Sequence, residues 1–235
     1  MTDMTSPDAV RRQYAAEGNL QVRSSVWHPD ADGRDPSALA LDAVVGAAPT
    51  RMLEVGCGTG AFAARVREVL PATDLVAIDS SERFVELTRA RGVTAHVADA
   101  QALPFEDSSF HLVAALWMLY HVPDLHRGLA EVRRVLRPGG TFLAVTNGDQ
   151  HVAELRRAVG RPPMVTHFSS ENGEAALGRH FSDVRREDLR PRAVFPDHAA
   201  ALAYLASSEE PSQRDLPWFD GPREYAGHVT VFVCR

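Results

Sequence analysis

A glutamate followed by three alternating glycines is the stretch of this sequence best suited to ligand binding. The sequence LEVGCGTG occupies residues 53–60. Apolar residues before the glycines predict a strand over 51–55, and helically spaced apolar residues after them predict a helix that begins at Ala61. Because glycine has no Cβ, a strand that turns through glycines into a helix lets a ligand rest on the amides of the helix N-terminus.

The spacing of these glycines separates two classes of ligand. A dinucleotide fold typically carries G-x-G-x-x-G, which needs a third glycine at the position of Ala61. Glu54, just before the first glycine, would also repel a pyrophosphate and suits a ligand with a positive group, such as an amino-acid ammonium. A tight turn that binds nothing remains an alternative for the glycines taken alone.

Two further acids stand at the ends of predicted strands. The run over 75–78 reads as a buried parallel strand that ends at Asp79, about 20 residues beyond the glycines, where a carboxylate can bind a ribose diol. A third strand over 94–98 is followed by Asp99. Since ligands of doubly wound sheets lie beyond the C-terminal ends of the strands, we expect Glu54, Asp79 and Asp99 to line one crevice.

Strands and helices alternate through residue 147, which predicts a three-layer α/β sandwich. A fourth strand over 110–116, a helix over 125–136 and a fifth strand over 141–146 continue the pattern, and a helix over 37–47 precedes the first strand. Further helices are predicted over 8–18, 151–160, 169–179 and 197–207, with strands over 181–189 and 228–234. The last of these alternates as expected for an antiparallel strand.

Composition restricts the function. The net charge of −6 argues against a nucleic-acid partner, and all 25 basic residues are arginine, so no lysine is present to act as nucleophile or base. Cys57 and Cys234 form no disulfide or metal pattern, which favours a reducing cytoplasm and predicts no metal site. No apolar stretch reaches the roughly 20 residues of a membrane span.

Together the motifs resemble the class I S-adenosylmethionine (SAM)-dependent methyltransferases of the methyltransferase type 11 group, which includes UbiE-like enzymes. The matching stretches are LEVGCGTG at 53–60, VAID at 76–79, ADAQALPFEDSSF at 98–110, HVPD at 121–124 and LRPGG at 136–140. The resemblance implies a Rossmann-like sandwich with a seven-stranded, mostly parallel sheet whose last strand is antiparallel. It also implies SAM as cofactor, S-adenosyl-L-homocysteine as product, and a single methyltransferase domain over 1–235. Within it, 1–48 would form a lid, 49–147 the SAM-binding core and 148–235 a half with substrate-side insertions.

The resemblance assigns roles to matching positions. The residues implied to hold SAM are Glu54, Gly56, Cys57, Gly58 and Gly60 for the methionine part, Asp79 for the ribose hydroxyls, Ser80, Asp99 and Ala100 for adenine, and the carbonyl of Leu116 for the ammonium. Two positions depart from the family. His111 stands where an acid is common, and Ser80 replaces a hydrophobic residue, so we expect weaker packing on adenine.

Candidate acceptor-side residues follow the fourth strand and lie near the N-terminus. His121 is the first candidate for a general base, needed only if the acceptor must lose a proton, and Tyr14 is the second, as a lid residue. The expected walls of a pocket for a small, fairly apolar acceptor are Trp27, His28, Trp117, Met118 and Tyr120.

We therefore expect a cytoplasmic enzyme that methylates a small molecule in bacterial secondary metabolism or quinone-like biosynthesis, without a nucleic-acid or membrane partner. A nicotinamide-dependent dehydrogenase fits the ribose acid but not the glycine spacing or Glu54. The same motifs are compatible with a tRNA or protein methyltransferase and with a non-catalytic SAM-binding module. The acceptor, the atom methylated and the oligomeric state do not follow from the sequence.

Overall fold

The computed structural model describes residues 22–208 and 210–235. Its strands are β1 (Trp27–His28), β2 (Arg51–Val55), β3 (Asp74–Asp79), β4 (Thr94–Val97), β5 (Phe110–Leu116), β6 (Leu136–Asn147), β7 (Val184–Leu189), β8 (Arg192–Phe195), β9 (Arg223–Ala226) and β10 (Val229–Cys234). Its helices are α1 (Pro36–Ala47), α2 (Ala61–Val69), α3 (Glu82–Ala90), α4 (Leu125–Val135), α5 (Ala153–Ala158), α6 (Gly173–Leu177) and α7 (His198–Ala206). A 3₁₀ turn covers Leu119–His121, and residues 22–25 are helical.

Seven strands form the central sheet, in the order β4-β3-β2-β5-β6-β10-β7. The pairs from β4 to β6 are parallel, whereas β10 runs antiparallel to both of its neighbours, β6 and β7. The predicted fold class, including the reversed last strand, is therefore confirmed.

Helices cover both faces of this sheet, because its inner strands are apolar on both sides. One face buries Phe142 and Phe232 against α4, through residues such as Leu129. The opposite face packs against α1, α2 and α3, through residues such as Val44 and Val66. The result is the predicted three-layer sandwich.

Most predicted elements lie within a few residues of the observed ones, and two differ. Strand β6 begins at Leu136 rather than at residue 141, because Leu136 already pairs with Phe110 before a register shift. Helix α6 is shorter than the predicted span of 169–179. The amides of Ser169 and Ser170 bond to the Asn172 side chain (2.7 Å) and the Asn147 carbonyl (3.2 Å), so these residues lie outside the helix. The helix predicted over 8–18 lies outside the described residues.

A second, three-stranded antiparallel sheet in the order β1-β8-β9 was not predicted. It packs with α5 and α7 around a separate apolar cluster that includes Leu155, Phe195 and Tyr204. We call this second sheet with α5 and α7 the cap. Apart from β1, which precedes α1, its segments follow the ends of β6 and β7 and precede β10, so the cap is attached where β6 and β7 end and β10 begins. No helix in the described ranges is long and apolar enough to cross a membrane.

Candidate active site

The glycine turn between β2 and α2 has the conformation that its sequence predicts. Gly56, Gly58 and Gly60 have φ values of 71°, 53° and 73°, a region that side chains with a Cβ rarely adopt. The amides of Gly56 and Cys57 both donate to the carbonyl of Ile78, at 2.8 and 3.0 Å. The turn is therefore fixed to the C-terminal end of the neighbouring strand β3.

Gly60 offers a stability test of this turn. A Cβ at Gly60 would lie 2.8 Å from the Cα of Thr88, whereas at Gly139, with a similar φ of +75°, no described atom lies within 4 Å. We expect Gly60→Ala to reduce the free energy of unfolding by about 2–5 kcal/mol and Gly139→Ala by about 1–2 kcal/mol, since only the first adds a clash to the backbone strain. Urea unfolding measures both, and equal losses would contradict the close packing on Thr88.

Asp79, at the end of β3, is held on two sides. Its Oδ2 accepts the amide of Gly58 and its Oδ1 the amide of Ser81, both at 2.9 Å. Burial raises the pKa of Asp79, and these amides, with that of Ser80, oppose the rise. Because a carboxylate has about four lone-pair sites, two remain for ligand hydroxyls. The side chain thus connects the glycine turn to the start of α3 and can still bind a diol.

Glu54 is 2% exposed and lies on the α2 face of the sheet. The amide of Ala63 donates to its carboxyl group, but Oε2 has no hydrogen-bond partner among the described residues. Burial, and then the charge of Asp79, raise the pKa of Glu54 to about 8. A buried carboxyl oxygen without a partner beside the glycine turn fits a ligand that brings a positive group.

The raised pKa of Glu54 predicts a pH-dependent stability. In the unfolded chain this group titrates near 4.5 and in the folded chain near 8, so its contribution is complete below pH 4.5 and is lost as the pH rises through 8. Without ligand, Glu54→Gln should be more stable than the wild type at pH 8.5, and no more stable at pH 4.5. Urea unfolding at both values measures this difference, and parallel pH profiles would contradict the assignment.

Asp99 follows β4 at the same edge of the sheet but is exposed. Its carboxylate accepts the backbone amide of Gln101 at 2.8 Å, and the amide of Ala98 bonds to the Asp79 carbonyl at 3.0 Å. The three acids therefore follow adjacent strands, and Glu54 and Asp79 are close enough to interact electrostatically. The roles of Asp99, of half-buried Ala100 and of exposed Ser80 at the adenine side stay predictions.

The segment after β5 packs directly on the glycine turn. A Cβ at Gly56 would lie 2.7 Å from the Cβ and Cγ of Met118. Trp117 has a φ of 53°, and its indole N–H donates to Asn147 Oδ1 at 3.1 Å, which connects the ends of β5 and β6. Half-buried Met118 thus packs on the turn, next in the chain to half-buried Trp117 and buried Leu116, and the cofactor and acceptor contacts of these three residues stay predictions.

The remaining acceptor-side candidates lie in three places. Tyr120 and His121 belong to the 3₁₀ turn, where their ring centroids are 4.5 Å apart. Trp27 and His28 form β1 of the cap; Trp27 is half-buried and His28 is exposed. Tyr14 lies outside the described residues.

A polar cluster at the ends of β6, β10 and β7 was missed by the sequence reasoning. His228 Nδ1 lies 3.3 Å from Glu171 Oε1, and the Asp149 amide donates to Glu171 Oε2 at 2.9 Å. Burial raises the pKa of Asp149 and lowers that of His228. These residues stand singly in loops or at strand ends, so no periodicity could group them.

This chain is similar in sequence to known methyltransferases. The family model described as "Methyltransferase domain" matches residues 53–144. The 27-O-demethylrifamycin SV methyltransferase of Amycolatopsis mediterranei is 37% identical over 260 aligned positions, which cover 88% of this chain and 94% of that relative. The malonyl-[acyl-carrier protein] O-methyltransferase of Methylococcus capsulatus is 34% identical over 171 residues, covering 68% of this chain; the chain spans 62% of that relative's length.

A solved structure supports the fold. The N-methyltransferase NodS from Bradyrhizobium japonicum, determined in complex with S-adenosyl-L-homocysteine, superposes with a TM-score of 0.59 at 16% identity and covers 99% of this chain and 98% of its own. The motifs, the sheet order and the relatives agree. The chain therefore belongs to the SAM-dependent methyltransferases, and SAM is its cofactor.

Proposed function

We propose that this enzyme transfers the methyl group of SAM to a hydroxyl oxygen of a small organic molecule. The observation that carries the proposal is the match to the rifamycin relative over 88% of this chain. Such a match cannot be confined to the core at 53–144, and therefore includes part of the cap. Both relatives described above are named for transfer to oxygen, which favours an oxygen acceptor over an amine or a carbon. A malonyl group offers a carboxylate oxygen, so the choice of a hydroxyl rests on the rifamycin relative.

The residues around the glycine turn supply a fitting cofactor site. When bound, SAM supplies an already activated methyl group. Glu54 and the turn at 56–60 would hold its methionine part, with the ammonium also near the Leu116 carbonyl, and Asp79 would hold the ribose hydroxyls. The unpartnered Oε2 of Glu54 supports this assignment. Positioning of the two reactants can lower the barrier by about 7–11 kcal/mol, so holding the acceptor in line is the main task of the protein.

A hydroxyl acceptor must lose its proton, which requires a nearby base. His121 is our first candidate, because its 3₁₀ turn follows Met118, which packs on Gly56. Tyr14 is the second candidate. The expected pocket walls are those predicted from the sequence: Trp27, His28, Trp117, Met118 and Tyr120.

An acceptor screen tests the proposal. The purified protein is incubated with SAM and with 27-O-demethylrifamycin SV, simple phenols, aliphatic alcohols and matched amines. S-adenosyl-L-homocysteine formation and methylated products are then followed by mass spectrometry. We expect turnover with hydroxyl acceptors. Turnover with amines alone would contradict O-methylation, and no turnover with any acceptor would favour a non-catalytic SAM-binding module.

A nucleic-acid or protein acceptor is the alternative within the methyltransferase class. The net charge of −6 disfavours a polyanionic partner. Adding bulk tRNA and a bacterial lysate protein fraction to the screen tests this alternative under the same conditions.

A further inference from the structure

Trp27 is packed against segments that leave the C-terminal edge of the central sheet. Its indole lies against Gly227, just before β10, where a Cβ would come within 2.7 Å of the ring. Its ring centroid is 4.5 Å from that of His151, in the loop after β6. In β1, Trp27 pairs with Ala193 of β8, shortly after the end of β7. The indole therefore stands where β6 and β7 end and where the antiparallel β10 begins.

His151 is itself fixed to the backbone. It is 5% exposed, and its Nδ1 lies 3.0 Å from the carbonyl oxygen and 3.1 Å from the amide nitrogen of His228. The ring nitrogen donates to that carbonyl in one neutral tautomer and accepts from that amide in the other, so either tautomer ties the ring to the backbone of His228. Burial lowers the pKa of His151 to about 3, so the ring stays neutral near neutral pH. The carbonyl of His228 in turn accepts the amide of Gly148 at 2.9 Å, next to the end of β6.

The end of β6 connects the contact between Trp27 and His151 to the proposed SAM site. Asn147, the last residue of β6, accepts the indole N–H of Trp117, and Trp117 is followed by Met118 on the glycine turn. The proposed SAM contacts lie at the ends of β2, β3, β4 and β5, whereas Trp27 lies at the ends of the next strands along the sheet. Ligands of open α/β sheets bind beyond these carboxyl ends, so the acceptor belongs on the side of Trp27.

We propose that His151 is a positioning residue that holds the indole of Trp27 as a wall of the acceptor pocket, and that the acceptor presents a flat, apolar ring system to this wall. Trp27 is half-buried, so part of the indole remains available for contact. A tryptophan held in one orientation offers a large apolar face at little further entropic cost. This inference rests on the proposed function, because it concerns the acceptor of that reaction.

The chain contains a matched control pair. His198 and Trp218 also form a histidine–tryptophan contact in and beside the cap, with ring centroids 5.0 Å apart, but Trp218 is 76% exposed. The test variants are Trp27→Leu, His151→Phe and His151→Asn. Phenylalanine keeps a ring and removes the hydrogen bond to the His228 backbone, whereas asparagine keeps a hydrogen-bonding side chain and removes the ring. The control variants are Trp218→Leu and His198→Asn.

Kinetics with the best flat hydroxyl acceptor of the screen give the first readout. We expect Trp27→Leu to raise the acceptor KM about tenfold, the loss of one aromatic contact, with kcat and SAM affinity changed by less than about twofold. His151→Asn should raise KM similarly, and the control variants should not. An unchanged acceptor KM in Trp27→Leu, or equal losses of SAM affinity and kcat, would overturn the proposal.

A second readout requires no turnover. The indole N–H signals of Trp27, Trp117 and Trp218 are resolved by ¹⁵N NMR and assigned with the tryptophan variants. His151→Asn should move and broaden the Trp27 signal and leave that of Trp218 in place, and His198→Asn should do the reverse. A Trp27 signal unaffected by both His151 variants would overturn the positioning role. Failure of the proposed function is distinguishable, since it appears as wild-type inactivity with every hydroxyl acceptor.

Discussion

Replacing Asp79 by asparagine should weaken SAM binding by about 10²-fold or more. Asp79 is anchored by the amides of Gly58 and Ser81, so its free lone pairs point from a fixed position at the end of β3. Hydrogen bonds to a charged group contribute about 1.5–3 kcal/mol each, and two ribose hydroxyls can donate to this carboxylate. Asparagine retains the shape but loses the charge and one acceptor oxygen.

Asp74 supplies the control for this experiment, because it lies at the opposite end of the same strand. Its carboxylate is exposed and lies 3.1 Å from the guanidinium of Arg51, away from the glycine turn. Asp74→Asn should bind SAM like the wild type. Titration calorimetry with SAM and with S-adenosyl-L-homocysteine measures both variants. Equal affinities for Asp79→Asn and the wild type would remove Asp79 from the cofactor site.

Replacing His121 by alanine should lower kcat by about 10²–10⁴-fold while SAM affinity changes little, if His121 takes the acceptor proton. The reason is positional. The 3₁₀ turn that carries His121 begins directly after Met118, whose side chain packs on Gly56, and the amide of His121 bonds to the Met118 carbonyl at 2.9 Å. The backbone of His121 is thereby fixed to Met118, and we propose that its imidazole faces the acceptor.

His126 is the matched control for His121. It is the second residue of α4, is exposed, and contacts His180 and Arg179 on the surface. His126→Ala should leave kcat within about twofold of the wild type. Single-turnover rates with saturating SAM and a hydroxyl acceptor separate the chemical step from product release. Undiminished turnover in His121→Ala would assign proton removal to another group or to water.

The sequence was sufficient to predict the core because its signals there are local. Three glycines with positive φ lie between an apolar strand and a helix. The acids Asp79 and Asp99 follow directly after short apolar runs. These patterns need no partner elsewhere in the chain. The burial of Glu54 was not evident, because an acid within a strand reveals neither the face it occupies nor the absence of a partner for Oε2.

The cap could not be predicted because its elements depend on contacts between distant parts of the chain. Strand β1 has two residues and β8 has four, so neither shows a readable alternation, and each exists only through pairing with distant residues such as Trp27 with Ala193. The sequence gives no signal at His151 either, since its proposed role depends on the backbone of His228, 77 positions away. The residues that we propose to contact the acceptor are thus brought together by long-range contacts, whereas the motifs of the cofactor site are local in the sequence.

The central claim is that the acids at adjacent strand ends and the glycine turn hold one SAM molecule. A crystal structure of the protein with S-adenosyl-L-homocysteine tests this claim most directly. The account predicts ribose hydroxyls within hydrogen-bonding distance of Asp79, the amino-acid part along 56–60 beside Glu54, and adenine next to Asp99. A nucleoside bound elsewhere, with Asp79 contacting only the amides of its own loops, would contradict it.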